Sequence, residues 1–270
     1  MQRNRMILVC AALCGALACS REKPAEQKLA PSASALEAAM PQAPTALAFT
    51  VDGATSSFTF LMDSPLEKID GDAPKSLSGE LFIDPADLSK STALVKADLK
   101  LLTLYQQKRG DDKQQYSERK KNDLQNEHAR GWLELDVKQG EVTPEQAETN
   151  RWAELKISKL DNLSATDVTK LPGAERKVTA DVSGDFRLHG RKATKTAKVE
   201  LTFKYAGDRL ESVAVKTLEP FVVPLEEFEV HPRDAAGKLV KSITETIATN
   251  LKGKIKGEAP VMIELSAKPK

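Results

Sequence analysis

From Val178 to Leu188 every second residue is apolar or glycine. Val178, Ala180, Val182, Gly184, Phe186 and Leu188 alternate with Thr179, Asp181, Ser183, Asp185 and Arg187. Successive side chains of a strand point to opposite faces, so such a run is a strand with one face buried. A strand of this length needs partners, and the surrounding sequence supplies them. After Gly190, Val199, Leu201, Phe203 and Tyr205 alternate with Lys198, Glu200, Thr202 and Lys204, and Gly207-Asp208 turns the chain into Val213, Val215 and Thr217.

The same period recurs on both sides. Phe49–Asp52 and Ser57–Phe60 open the series, with Phe58 and Phe60 on one face. Leu77, Gly79, Leu81 and Ile83 follow, ended by Asp84-Pro85, and then Val95, Ala97, Leu99 and Leu101. Leu155 and Ile157 suggest a further strand, Phe228 and Val230 a short one, and Val261, Ile263 and Leu265 a last one. About eight or nine strands joined by hairpin-like turns make an all-β, antiparallel domain, a sandwich or a closed barrel. The recurring glycines, which relieve strong strand curvature, favour the barrel.

Three stretches depart from this period and give one to three short helices. Lys108–His128 is highly polar, with helix-favouring residues from about Lys113 and a narrow stripe of Leu124, His128, Trp132 and Leu135 that Gly131 interrupts. Thr143-Pro144-Glu145-Gln146 reads as a helix start, with a capping threonine, proline at the first position and glutamine at the third. Leu239, Ile243, Ile247 and Leu251 recur at four-residue intervals before Gly253 and indicate a third helix over Lys238–Lys252.

The N-terminal end is of another kind. Arg3 and Arg5 precede the apolar run Met6–Ala18, too short to span a bilayer and of the length of a secretory signal. Cys19 follows small and apolar residues, as the modified cysteine of a bacterial lipoprotein does; an ordinary cleaved signal would leave it without a role. Cys10, Cys14 and Cys19 are the three cysteines, so cleavage before Cys19 leaves a single thiol and no internal disulfide. The expected organisation is therefore a signal peptide over 1–18, a disordered Ala/Pro-rich tether over 19–47 carrying lipidated Cys19, and a domain over 48–270. Acyl chains on Cys19 would hold the protein to a membrane, since stable anchoring takes more than one chain. Ser20 is not the aspartate that retains some lipoproteins at the inner membrane, so the expected place is the periplasmic side of the cell envelope, at the outer membrane.

Signals for chemistry are sparse. His128, His189 and His231 stand far apart, in no metal-ligand spacing. The nucleophile elbow and the phosphate-cradling glycine loop are both absent. Asp111-Asp112 and Glu226-Glu227 read as solvated charge. The formal net charge of +1, with both signs interspersed, argues against a nucleic-acid binder. Lys252, Lys254 and Lys256 either complement a helix C-terminus or meet an anionic headgroup at a barrel mouth. No catalytic, metal or cofactor site is expected.

The run VTADVSGDFRLHGRKATK, Val178–Lys195, resembles the YceI-like family in its strand ending in Leu188-His189-Gly190 and its Thr194-Lys195 pair. Phe49–Asp52 with Ser56–Phe60, and Leu77–Asp84 with Asp87, Leu88 and Ser91, resemble the family's opening strands. The likeness runs in order from Phe49 to Ala267, with departures at Arg109-Gly110-Asp111 and in the segment Lys238–Gly257. It implies an antiparallel, lipocalin-like closed barrel with a long apolar cavity, periplasmic or secreted, associated with polyisoprenoid lipid. By that analogy the inward residues Phe58, Phe60, Leu81, Val182, Phe186, Leu201 and Phe203 would line the cavity, and the protein would be a carrier without enzymatic activity. The rival expectation is an envelope interaction or stress-response lipoprotein whose barrel is packed solid and which acts through 108–128 and 238–257.

Overall fold

A computed structural model describes residues 29–63, 65–138, 141–231 and 257–270. Its strands, in chain order, are β1 (Leu47–Val51), β2 (Ser57–Asp63), β3 (Glu67–Pro74), β4 (Leu77–Ile83), β5 (Thr92–Asp98), β6 (Thr103–Lys108), β7 (Lys120–Lys121), β8 (Trp152–Asp161), β9 (Glu175–Leu188), β10 (Arg191–Ala206), β11 (Arg209–Thr217), β12 (Phe221–Pro224) and β13 (Glu258–Pro269). Two short helices, α1 (Asp123–Trp132) and α2 (Pro144–Asn150), lie between β7 and β8.

The pairing is antiparallel throughout and closes on itself. The ring runs β1-β4-β5-β8-β9-β10-β11-β13, and β13 returns to β1 through Phe49 opposite Pro269 and Val51 opposite Ala267. This is the eight-stranded, lipocalin-like barrel expected from the alternation. Three of its staves are each two strands joined by a bend. The chain turns at Gly53–Thr55 between β1 and β2, at Lys75 between β3 and β4, and at Leu99–Leu101 between β5 and β6. Above those bends β2, β3 and β6 pair with one another and extend the wall past the ring, with β7 added at the edge.

The two ends of the barrel differ. At the lower end Leu88 and Val168, both fully buried, sit in short 3-10 turns capped by Asp87 and Asp167. The turns tie together, Leu88 N–H donating to the Thr166 carbonyl and Val168 N–H to the Pro85 carbonyl, each at 2.9 Å. At the upper end lie α1, α2, the β9–β10 turn and residues 225–230. His189 and Gly190 make that turn with φ of 50° and 68°, the pair of left-handed residues that a two-residue hairpin loop matched to strand twist requires.

Strand curvature depends on two close approaches. An added Cβ on Gly184 would lie 1.9 Å from the Lys156 carbonyl oxygen, and one on Gly79 2.0 Å from that of Leu94. Opposite Gly184 the β8–β9 register shifts between Ile157 and Lys159, a bulge at Ser158 that bends the wall.

Several expectations need correction. The tether reading over 19–47 does not describe residues 29–46, which lie as a strap across the outside of the barrel. Ala30 N–H donates to the Glu227 carbonyl, Ala33 N–H to the Gly190 carbonyl, and Thr45 Oγ1 to Asp84, so the strap descends from the upper end to the start of β1. Ala30, Ala39 and Ala43 of the strap are buried. Pro31, Pro41 and Pro44 keep the chain extended and remove backbone donors that would need partners. Helix does not begin near Lys113, because the Asp111 carboxylate accepts from the Lys113 and Gln114 amides and makes a turn instead. It begins at Asp123, capped by Asn122, and runs through Gly131. Phe228 lies in a 3-10 turn, Glu226–Phe228, and not in a strand. α2 has the expected start, with Thr143 and Gln146 reciprocally bonded. The helix expected over Lys238–Lys252, the three lysines 252, 254 and 256, the signal segment and Cys19 lie outside the described residues.

Candidate ligand cavity

The inward faces of the staves do not meet completely. Two apolar lobes lie along the barrel axis, about 80 Å³ in the lower and about 120 Å³ in the upper. Val95, Leu155, Phe221 and Ile263 border both, so the lobes abut across a partition of four side chains. Phe221 is the least anchored of the four in its backbone: β12 is four residues long and pairs with β13 alone.

Lobe by lobe, the expected lining residues separate into two groups. Leu81, Val182 and Leu201 border the lower lobe, and Phe58, Phe60 and Phe186 the upper. Phe203 borders neither. It is fully buried near the lower end, opposite Val213 and Arg176, where the strands pack solid. Sequence reading placed Val95, Leu155 and Ile263 on strands without assigning them to the cavity. Phe221 it missed altogether, since a four-residue strand after Pro220 shows no alternation to read.

The lobes are chemically uniform. The lower has three polar residues on its border, and each is already engaged. Ser91 Oγ accepts from the Asp84 amide, Thr92 Oγ1 donates to the Met40 carbonyl of the strap, and Thr217 Oγ1 accepts from the Ile263 amide at 2.9 Å. Glu154 is the one polar residue bordering the upper lobe, and its carboxylate turns outward to Lys96 at 2.8 Å and Arg187 at 3.3 Å. Such walls offer dispersion contacts and burial but no acid, base or oriented donor. Phe186 borders the upper lobe in edge-to-face contact with Phe221 and Phe228, ring centres 6.0 and 5.3 Å apart.

Outside the cavity, two of the three histidines have structural partners. His189 bridges the upper end, its ring nitrogens each 3.1 Å from the Phe228 carbonyl and the Glu134 carboxylate. His128 stacks on Trp132. Of the paired acids, Glu227 binds Lys195 at 2.6 Å and is not simply solvated. Among the described residues no group of three or more His, Cys, Asp or Glu is placed to hold a metal ion.

A closed eight-stranded antiparallel barrel with an apolar interior defines a lipocalin-like fold. One solved structure carries the same architecture. A polyisoprenoid-binding domain from Saccharophagus degradans, implicated in plant cell wall breakdown, superposes with a TM-score of 0.50 at 16% identity, over 83% of this chain and 99% of that one. BcnA of Burkholderia cenocepacia matches with a TM-score of 0.45 at 15% identity, over 81% of this chain and 99% of its own. The resemblance to the YceI-like family read from the sequence thus holds at the level of the fold. No family model and no curated protein matches the chain.

Proposed function

We propose that this protein binds and carries an apolar lipid, a polyisoprenoid chain, in the bacterial cell envelope, without enzymatic activity, and that Cys19 is acylated and anchors it on the periplasmic side of the outer membrane. The observation that carries the reading is the pair of abutting lobes whose every bordering hydroxyl is already bonded to backbone. A ligand there is held by burial alone, at about 25 cal/mol per Å² of apolar surface removed from water. A linear chain suits two lobes in file along an axis better than a compact ring system does. That the Saccharophagus degradans domain is described as polyisoprenoid-binding supports the choice of lipid.

The lobes are smaller than the roughly 300–1,000 Å³ of ordinary ligand sites. Binding on this reading therefore moves the partition, with Phe221 swinging aside so that one continuous channel forms. The polar upper loops would then select the headgroup.

Native mass spectrometry of the protein purified from a bacterial periplasm tests the proposal. A discrete added mass that chloroform removes supports a carrier and names its cargo class. A bare mass that stays bare after incubation with prenyl quinones and prenyl phosphates rejects it.

A further inference from the structure

The strap fixes which end of the barrel the N-terminal chain leaves from. Ala30 is buried at the upper end, its amide bonded to the Glu227 carbonyl and its carbonyl to Arg191 Nη1 at 2.6 Å, and Ser32 bridges to Arg191. Residues 20–28 are then all that separates Cys19 from the described fold. Fully extended, nine residues span at most about 30 Å. The barrel is taller than that. The sixteen residues of β10 cover roughly 50 Å along the strand, or roughly 40 Å along an axis tilted as barrel strands are. An anchor at Cys19 cannot bring the lower end to its own membrane unless the strap peels away.

Exposed apolar side chains gather at the same end, while Met40 and Leu47, 71% and 45% exposed, lie singly on the lower part of the wall. Leu61 and Leu66, 44% and 36% exposed, sit at the β2–β3 hairpin that overtops the ring, with Leu124 of α1 58% exposed nearby and Leu29 exposed at the strap's start. The upper lobe reaches this rim through Leu102, Leu133 and Leu225.

From this arrangement we infer that the upper rim docks against the phospholipid bilayer that holds the Cys19 anchor, the hairpin leucines entering its interface and the upper lobe facing the lipid. The inference rests on the acylated-anchor part of the proposed function and sets the direction of lipid transfer: cargo enters and leaves through the membrane-facing end.

Hydrogen exchange tests it. The chain from Cys19 to Lys270 contains every described residue and a single thiol, which is coupled to a maleimide phospholipid in phosphatidylcholine vesicles and compared with the same chain capped by N-ethylmaleimide in solution. Docking slows exchange severalfold in residues 61–67 and leaves 86–90 and 206–209 unchanged. Equal exchange at 61–67, or slowing at the lower turns instead, overturns the inference. The L61D/L66D variant, altered on the surface alone, should lose the protection while still tethered; protection that persists also overturns it. The mass of protein extracted from bacterial membranes reads the anchor separately. Absence of the acyl mass removes the anchor, and the orientation with it, whatever the exchange data; the prenyl-cargo reading would stand.

Discussion

Arg187 and Glu154 face each other across β9 and β8, 3.3 Å apart, their side chains 2% and 1% exposed. Both stand at outward positions of their strands, yet the strap covers them. Arg187 donates to the carbonyls of Ala33, Trp152 and Thr149, and Glu154 accepts from the Leu36 amide. The pair is thus the point at which strap, wall and α2 region are joined. Burying two charges is tolerable only when their remaining hydrogen-bonding groups are also satisfied, and the strap's backbone satisfies them.

Arg187→Met is expected to cost about 3 kcal/mol, toward the lower end for a broken buried pair because Lys96 still contacts Glu154. Urea unfolding measures the loss. Limited proteolysis should show residues 29–46 cut first in the variant and resistant in the parent.

Gly184→Ala places a methyl group against the Lys156 carbonyl at the bulge, where backbone must move. The expected cost is about 1–3 kcal/mol, read as a lower thermal midpoint. Gly190→Ala, a turn position with nothing near its Cβ but a φ of 68°, should be destabilised through its backbone alone.

Asp167 caps the lower 3-10 turn. The Thr169 hydroxyl bonded to it, then Lys170, hold its carboxyl down to about 2. A carboxylate with a depressed folded value stabilises the fold above its unfolded value near 4 and loses that contribution as pH falls through about 2. Carboxyl NMR should find Asp167 still ionised at pH 3. In Asp167→Asn, stability should depend less steeply on pH between 4 and 2.

Phe221→Ala joins the two lobes. It should cost about 3–5 kcal/mol in the empty protein and raise the fraction carrying lipid, with longer chains accepted. Ala197→Leu, on the lower lobe's border, should fill space and lower that fraction with little change in stability. Native mass spectrometry of the three proteins ranks them.

Sequence alternation revealed the ring strands because each buries one face, from Phe49 to Leu265. β3 escaped notice because its inward face is Ile69, Gly71 and Ala73, too small to read as apolar periodicity, with the Phe60 ring lying over Gly71. The strap escaped for a related reason. Alanine and proline give the composition of a tether, and only the wall opposite makes them a fit. Alternation alone puts Arg187 on the face opposite the apolar one, and only the strap explains its burial there. Six of the seven expected lining positions border the lobes; Phe203 shares their alternation but lies beyond the point where the barrel fills.

The most direct measurement is photocrosslinking with a prenyl phosphate bearing a benzophenone at its distal end, followed by peptide mapping. A cargo chain running along the axis should label Leu155, Val182 or Phe221, and Ala197→Leu should reduce the yield. Label confined to the outer wall or the upper loops, or no label at all, would contradict the carrier reading.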